Sequence, residues 1–254
     1  MNKDYVAQYR RIETTHWWFL VRQKIIAQAI QKYIAPENIP LKILNVGAAS
    51  GWSSQWLSAF GKVVSAENDQ VFFDFLSAEK MDVVHASITR LPFGDNSFDV
   101  VCALDVIEHV QDDVKAMNEL MRVCKPGGKI CITVPSCKAL WSAHDEVNNH
   151  FRRYNKSGLT RLIDSKRDAV PVYTTCFNTI LFPLIFITRK IEKLFRKNAA
   201  RQKSDFDYYK TSRWISYLLQ KVFGIEIFLL RFIRFPFGVS LLAIAGKRKD
   251  ERSG

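Results

Sequence analysis

The sequence predicts an α/β fold built around a mostly parallel sheet, and three observations support this prediction. The chain has 254 residues, 48% of them hydrophobic, which is enough to bury a core as one domain with an appendage. Short β-branched runs alternate with helical patterns from Lys42 onward, which is typical of βαβ units. Two runs, Ser97–Leu104 and Lys129–Val134, are apolar almost throughout, as strands covered on both faces must be.

Each predicted strand is a short apolar run bounded by turn-forming residues, and each predicted helix repeats apolar residues three or four positions apart. The strands are predicted at Lys42–Gly47, Lys62–Glu67, Asp82–His85, Ser97–Leu104, Lys129–Val134, Ala169–Thr175 and Gly238–Ala245. The helices after the first strand are predicted at Trp52–Phe60, Gln70–Ala78, Gln111–Val123, Leu159–Asp164, Phe177–Lys197 and Trp214–Phe223. The Pro126-Gly127-Gly128 run predicts a turn that leads into the fifth strand.

These elements divide the chain into five predicted segments. They are an N-terminal helical cap at 1–40, the core at 41–175, a basic amphipathic helical insertion at 176–237, a closing strand of the core at 238–246, and a tail at 247–254. A polar linker is expected at Asn198–Asp207, between the two basic helices.

The formal charge of +12 is unevenly distributed along the chain. Residues 1–150 contain 15 Lys/Arg and 17 Asp/Glu, whereas residues 151–254 contain 22 and 8. A basic block of this kind attracts phosphate, either on nucleic acid or on an anionic membrane surface. A solvated basic face without a partner is the alternative.

Cysteine usage and hydropathy indicate the compartment. The five cysteines have no paired short spacing, so we expect buried free thiols in a reducing compartment, with neither disulfides nor a metal site. The first residues contain no secretory signal pattern, and a cytoplasmic protein is expected. The longest apolar run, Phe177–Thr188, is shorter than the roughly 20 residues that span a bilayer. A peripheral position on the inner membrane surface remains compatible with the basic helices.

The turn after the first predicted strand indicates a ligand site. The run Asn45–Gly51 contains small residues, which let a ligand approach the backbone closely, and a helix begins just after it. Glu67 ends the second predicted strand about 20 residues further on, where a carboxylate can accept hydrogen bonds from both ribose hydroxyls. Simple packing of the turn, a nicotinamide dinucleotide and an adenosyl ligand all remain open at this point.

Three successive segments carry a family resemblance. Ala86–Phe98, Asp99–His109 and Leu120–Pro135 closely resemble the motifs of class I S-adenosylmethionine-dependent methyltransferases, of the group labelled type 11. The resemblance covers residues 41–135 and implies a Rossmann-like, seven-stranded, mostly parallel sheet with helices on both faces. It also implies S-adenosyl-L-methionine as the cofactor, bound where strands one and four diverge.

Two further segments resemble a narrower subgroup. Glu13–Arg22 resembles the E-x-x-HWWF-x-x-R signature of bacterial methyltransferases associated with cell-surface glycan assembly, and Leu140–Tyr154 resembles the loop that follows the fifth strand in that subgroup. The aromatic segment is expected to close over the cofactor as a lid, or to pack a helix onto the sheet as a staple.

The resemblance implies cofactor-binding roles for eight residues, Asn45, Gly47, Ala49, Gly51, Glu67, Ser87, Ile88 and Asp105. In the aromatic segment, Trp17 and Arg22 are also candidate cofactor-binding residues. Ser87 and Ile88 are expected beside the adenine, Asp105 near the sulfonium, and Arg22 at the methionine carboxylate. Asp105 as a turn residue that caps the next helix is the alternative. Asn45, Ala49 and Ser87 depart from the family pattern of an acid, a glycine and an aspartate, which leaves a non-catalytic relative open.

The loop after the fifth strand supplies candidate acceptor-side residues. His144 with Asp145, or His150 alone, could deprotonate a hydroxyl near neutral pH. Asp145 could instead pair with Arg152 or Arg153 and only order the loop. Together with Tyr154, these arginines are expected to bind a phosphate or a diphosphate-linked substrate.

The sequence therefore predicts methyl transfer to an oxygen of a saccharide, a lipid-linked molecule or another small acceptor. A nucleic-acid methyltransferase is disfavoured because Leu104–Glu108 lacks the Asn/Asp-Pro-Pro-aromatic run of enzymes that methylate base amino groups. A nicotinamide oxidoreductase and a membrane-surface binding protein without catalysis also remain open. The basic C-terminal helices fit an anionic bilayer surface, a cover on the sheet or a dimer face; the oligomeric state is not predicted.

Overall fold

The computed structural model describes residues 3–35, 40–164, 169–195 and 211–249. Its strands are β1 Leu41–Val46, β2 Gly61–Glu67, β3 Val83–His85, β4 Phe98–Leu104, β5 Cys124–Pro135, β6 Ala169–Phe177 and β7 Ser240–Lys247. Its α-helices are α1 Lys3–Thr15, α2 Trp17–Tyr33, α3 Trp52–Leu57, α4 Gln70–Ala78, α5 Asp113–Val123, α6 Ala143–Val147, α7 Lys156–Asp164, α8 Phe182–Phe195 and α9 Arg213–Leu229. Short 3₁₀ turns occupy Ser58–Phe60, Ile107–His109 and Lys138–Leu140.

The seven strands form one sheet in the order β3-β2-β1-β4-β5-β7-β6. The β1–β5 strands pair in parallel, whereas β7 is antiparallel to both β5 and β6. In this register Val46 is the partner of both Ala66 and Ala103, so β1, β2 and β4 end at the same edge of the sheet. The predicted seven-stranded, mostly parallel, Rossmann-like sheet is confirmed.

Helices cover both faces of the sheet. Along β4, Val101 and Ala103 belong to the core cluster that includes α5 and α7, while Val100 and Cys102 belong to the cluster that includes α2 and α9. Successive side chains of a strand point to opposite faces, so an apolar residue is needed at every position of a strand covered on both sides. All five cysteines are free thiols, and four of them are buried.

The N-terminal helix α2 packs on one face of the sheet, and α1 packs on neighbouring helices. The side chain of His16 accepts a hydrogen bond from the backbone N–H of Trp18 and so caps α2. The apolar positions of α2 recur at helical spacing and are buried on the sheet. Helix α1 packs against α2, α3 and α4, with the Tyr9 ring edge-on to Phe19 and Phe72.

The C-terminal region differs from the sequence prediction in where its elements begin. Phe177 belongs to β6 and not to the predicted helix Phe177–Lys197, because Asn178 turns the chain with a positive φ of 57°. The buried carboxylate of Glu226 on α9 accepts hydrogen bonds from the backbone N–H groups of residues 178–180, which fixes this turn before α8 begins. Helix α9 also continues six residues beyond the predicted end at Phe223.

The predicted turn at Pro126-Gly127-Gly128 lies inside β5, which begins at Cys124. Phe98 of β4 pairs with Cys124 of β5, but Val100 pairs with Lys129. The predicted turn residues therefore form a bulge-like irregularity within β5. The end of the predicted helix at residues 196–197, the linker Asn198–Asp207 and tail residues 250–254 lie outside the described residues. The division into five segments stays a prediction.

Candidate active site

The turn after β1 is a tight bend of small residues. Gly47, Ala49 and Gly51 have left-handed φ values of 70°, 48° and 82°. A Cβ atom on Gly47 would lie 2.5 Å from Cγ2 of Val106, so this position has no room for a side chain. Ala49 is an L-residue in a region that favours glycine, which costs about 1 kcal/mol. The bend places the backbone close to the end of β2.

The carboxylate of Glu67 is bound to this bend. Its Oε2 accepts a hydrogen bond from the backbone N–H of Ala49 at 2.8 Å, and its Oε1 accepts two from Asn68 and Asp69 at 2.8 and 2.9 Å. Burial raises the pKa of Glu67, and the three N–H donors oppose that rise. A carboxylate has about four acceptor positions, so about one remains for a ligand hydroxyl, where the sequence predicts two such hydrogen bonds.

Three other predicted cofactor residues contact the protein itself. The amide of Asn45, fully buried, donates to the hydroxyls of Ser53 and Ser54 at 2.8 Å each, which ties β1 to the first turn of α3. The hydroxyl of Ser87 lies 3.0 Å from that of Thr89, and Ile88 is buried. These contacts lie within the protein, and the adenine role of Ser87 and Ile88 stays a prediction.

The aromatic segment that precedes the sheet also touches the bend. The buried carboxyl of Glu13 accepts a hydrogen bond from the Ser50 hydroxyl. Burial raises the pKa of Glu13 to about 7. Trp17 packs edge-on against Phe223 of α9, with ring centroids 6.0 Å apart, and it also lines a cavity at the end of β4. Trp17 therefore packs as predicted for a staple, and closure of the segment over the cofactor stays a prediction.

Arg22 and Asp105 bind each other across the end of β4. Nη2 of Arg22 lies 2.7 Å from Oδ2 of Asp105 and donates to the Thr133 hydroxyl at 3.0 Å, while the guanidinium stacks 5.3 Å from the Trp18 ring centroid. Asp105 has a positive φ of 60°, and the following 3₁₀ turn has no side-chain cap. The structure therefore does not contain the predicted cap by Asp105.

A cavity of about 360 Å³ extends from this pair to the loop after β5. It is bounded by the aromatic segment, the end of β4, the loop after β5 and helix α8. Its lining includes Tyr9, His16, Trp17, Trp18, Phe19, Asp105, Glu108, His109, His144, His150, Arg153, Ile185 and Arg189. Parts of the chain more than 150 residues apart thus meet at one edge of the sheet, where open α/β sheets bind ligands.

Asp145 is the buried centre of the loop after β5. Its Oδ1 lies 2.7 Å from Nε of Arg153 and 3.0 Å from Nδ1 of His150, and its Oδ2 accepts from Nη2 of Arg153 at 3.1 Å. Burial alone would raise the pKa of Asp145, but the hydrogen bond with His150 and the charge of Arg153 hold it below its ordinary value. The two predicted roles of Asp145, orienting a histidine and pairing with an arginine, coexist.

The three residues predicted to bind substrate phosphate have internal partners. Arg153 is buried on Asp145 and also donates to the Ser136 carbonyl, while Arg152 forms an ion pair of 2.7 Å with Asp113. The Tyr154 hydroxyl donates to Asp113 at 2.8 Å, and burial raises the pKa of Tyr154 above its ordinary value. Their role in this structure is to order the loop; substrate binding by them stays a prediction.

The two candidate histidines, His144 and His150, have different environments. Burial lowers the pKa of His144 to about 4, and its Nδ1 lies 3.2 Å from the amide of Asn148. His150 is held by Asp145, and its ring centroid is 4.6 Å from that of His109. Glu108, to which sequence analysis assigns no role, is fully buried beside them, and both of its carboxylate oxygens lack a hydrogen-bond partner among the described residues. The only sequence signal for this group is the Glu108-His109 pair after β4.

Comparisons with known proteins agree with this architecture. A family model for a methyltransferase domain of type 11 matches residues 44–132. The chain is 26% identical over 155 residues to "Probable S-adenosylmethionine-dependent methyltransferase" of Mycolicibacterium smegmatis, covering 59% of this chain and 58% of that protein. It is 37% identical over 97 residues to demethylmenaquinone methyltransferase of Clavibacter sepedonicus, covering 36% and 40%. The matches thus span about half the length of these curated relatives.

Solved structures share the fold at low sequence identity. The YcgJ protein of Bacillus subtilis superposes with a TM-score of 0.56 at 14% identity, covering 89% of this chain and 98% of that one. The [4+2]-cyclase SpnF superposes with a TM-score of 0.55 at 15% identity, covering 88% and 82%. The second case shows that this fold by itself does not fix the reaction.

The sheet order, the bend after β1 and the matched sequence segment agree with one another. Residues 44–132 therefore match the type 11 methyltransferase domain, and the chain is similar in sequence and fold to S-adenosylmethionine-dependent methyltransferases.

Proposed function

We propose that the chain transfers a methyl group from S-adenosylmethionine to a hydroxyl oxygen of a small acceptor, such as a saccharide or a lipid-linked molecule. The observation that carries the proposal is the cavity of about 360 Å³, which joins Asp105 at the end of β4 to the Asp145–His150 pair. The named relatives that act on small molecules, such as the demethylmenaquinone methyltransferase, support this class of acceptor.

The residues at the bend fit an adenosyl ligand. No side chain larger than the methyl group of Ala49 projects from the left-handed positions 47, 49 and 51, so a ligand can approach the backbone there. The remaining acceptor position of Glu67 would bind one ribose hydroxyl, and Arg22 with Asp105 would lie at the methionine end. When bound, the cofactor supplies a methyl group that is already activated by the sulfonium charge.

The protein's own contribution would be positioning, water exclusion and removal of one proton. Alignment of the reacting groups and exclusion of water account for much of the rate in such a transfer. Trp17 and Trp18 would cover the cavity on one side. His150, whose Nδ1 is fixed by Asp145, would accept the hydroxyl proton through its other ring nitrogen. His144 is the weaker candidate because burial lowers its pKa to about 4.

Calorimetry with S-adenosylhomocysteine tests the proposal. We expect saturable binding to the wild-type chain and a loss of about tenfold or more in affinity for Glu67→Ala, since a hydrogen bond to a charged acceptor contributes about 1.5–3 kcal/mol. Glu79→Ala, which removes an exposed glutamate that pairs with Arg10, is the matched control and should bind as the wild type does. His150→Asn should also retain affinity, because His150 is assigned to the acceptor. Absence of binding to the wild type would contradict the proposal.

A second proposal concerns the C-terminal surface. No helix among the described residues is long and apolar enough to cross a membrane. Nevertheless, large apolar side chains of α8, α9 and the segment after α9 are exposed; they include Leu184, Ile187, Ile191, Leu194, Trp214, Ile215, Leu218, Phe228, Phe232 and Phe237. Lysines and arginines are interspersed among them at positions 190, 193, 213, 221, 231 and 234.

We propose that this apolar and basic surface binds an anionic membrane, where a lipid-linked acceptor would be found. Apolar insertion and attraction to anionic headgroups together drive interfacial helices onto such surfaces. The chain should sediment with vesicles that contain phosphatidylglycerol and less with pure phosphatidylcholine. The double variant Trp214→Ala/Phe232→Ala should reduce sedimentation, and Val114→Ala, an exposed apolar residue on α5, is the control. Equal sedimentation of the double variant and the control would contradict the proposal that this surface binds the membrane.

A further inference from the structure

Three side chains of metal-ligand type meet at the floor of the cavity. Glu108 and His109 follow β4, and His150 follows β5; one ligand atom from each lies within 4.8 Å of the other two. Ligand atoms around a cation with bonds of about 2.0–2.2 Å lie roughly 3–4 Å apart, so small side-chain adjustments bring these three onto one ion.

The carboxyl group of Glu108 is fully buried without a hydrogen-bond partner for either oxygen among the described residues. The neighbouring cations are already paired, Arg22 with Asp105 at 2.7 Å and Arg153 with Asp145 at 2.7 Å. A buried carboxylate without a partner is costly, and a proton or a metal ion removes that cost.

One of the two histidines, His150, is oriented as a metal ligand is. A ligating histidine uses one ring nitrogen for the metal and donates its other N–H to a carboxylate or a carbonyl. His150 has Nδ1 3.0 Å from the Asp145 carboxylate, which leaves its other ring nitrogen for an ion. His109 is also exposed, which provides an entry path for an ion.

We propose that Glu108, His109 and His150 bind one divalent cation of the zinc or manganese class, with open coordination positions toward the cavity. Two imidazole nitrogens and one carboxylate suit these ions better than magnesium or calcium, which prefer oxygen ligands. Three protein ligands with an open position are the arrangement of reactive metal centres, whereas structural zinc sites are closed by four.

The inference rests on the proposed function for its role in catalysis, and it changes the part played by His150. A cation at this site would bind the acceptor hydroxyl and lower its pKa. The proton would pass to solvent water, the oxygen would form its bond to the methyl carbon, and the electron pair of the broken carbon–sulfur bond would stay on sulfur. His150 would then be a ligand and not the base.

The test uses the untagged full chain, freed of metal by a chelator and titrated with Zn²⁺ by calorimetry and with Co²⁺ by visible absorption. We expect one equivalent to bind, with affinity reduced at least about tenfold in each of Glu108→Gln, His109→Gln and His150→Gln. His85→Gln, an exposed histidine that lies outside the cavity, should bind as the wild type does. Should Glu108→Gln fail to fold, His109→Gln carries the test because its side chain is exposed.

Binding below one equivalent, or equal affinity in the cavity variants and the wild type, would overturn the inference. Parallel titration with S-adenosylhomocysteine separates the two proposals. Cofactor binding without metal binding would rule out only the proposed cation site. Metal binding without cofactor binding would rule out only the proposed methyl transfer.

Discussion

The cofactor end and the acceptor end of the site are held together in different ways. At the cofactor end, the carboxylate of Glu67 binds backbone N–H groups of residues 49, 68 and 69, all within 18 positions of it. At the acceptor end, Asp145, His150 and Arg153 of the loop after β5 form a group of charged and polar side chains, with the buried Glu108 from the segment after β4 beside them. The first is built from backbone and small residues, and the second from buried side-chain charge.

This difference predicts how each end responds to substitution. A substitution in the backbone bend destabilises the fold when the new side-chain atoms overlap their neighbours. A substitution in the buried charge network destabilises the fold when it removes one charge and leaves its partner buried without compensation. Substitutions at Asp145, Gly47 and Glu13 distinguish these responses.

Asp145→Ala should have the largest effect, because it leaves the buried guanidinium of Arg153 without its carboxylate. Removal of one partner of a buried ion pair destabilises a protein by about 3–5 kcal/mol, measurable by urea unfolding. Asp95→Ala is the matched control: its carboxylate pairs with Arg122 but is 70% exposed, so the loss should stay below about 1 kcal/mol. Similar losses in the two variants would show that the acceptor end does not depend on buried charge.

Gly47→Ala should destabilise the chain by about 1–3 kcal/mol, since the new Cβ would overlap Val106 at 2.5 Å in a left-handed backbone. The double variant Gly47→Ala/Val106→Ala should recover part of this loss. Gly224→Ala is the control: its Cβ would meet no atom within 4 Å in helix α9, so it should stabilise by roughly 0.5–1 kcal/mol. An unaffected Gly47→Ala would contradict the steric account of the bend.

Glu13→Gln should change mainly the pH dependence of stability. Because the pKa of Glu13 is raised from 4.5 to about 7, the folded chain binds more protons than the unfolded chain between these values. The free energy of unfolding therefore falls as pH rises through this window, by at most about 1.4 kcal/mol per pH unit from this group. The variant lacks this contribution, so its stability relative to the wild type should increase from pH 5 to pH 7. A constant difference would place the Glu13 pKa near its ordinary value.

The difference between local backbone structure and tertiary side-chain contacts also explains which features can be predicted from the sequence. The sheet, the bend and the position of Glu67 follow from local patterns, because strand periodicity and small residues are visible within a few positions. The partners of Glu67 are less predictable, since backbone N–H groups and ribose hydroxyls compete for the same oxygens. The start of α8 is mispredicted because Glu226, 48 positions away, fixes the turn at Asn178.

At the acceptor end, the chemistry of His144, Asp145 and His150 follows from their residue types, whereas their contacts with one another are set by the tertiary fold. The pairing of Asp145 with both Arg153 and His150 depends on the fold of the loop, and the burial of Glu108 depends on the elements around it. The internal partners of Arg152 and Tyr154 on Asp113 are likewise tertiary contacts. Burial and side-chain contacts that depend on tertiary structure therefore cannot be predicted from local sequence patterns.

A crystal structure of the chain with S-adenosylhomocysteine would show directly whether the two ends form one site. The two ends are inferred to form one continuous site, so the adenosyl group should lie between the bend at 47–51 and Glu67, with the sulfur facing the cavity beside Asp105. A structure in which helix α1 keeps that cleft closed through Glu13 and Ser50, with the ligand absent or bound elsewhere, would contradict it.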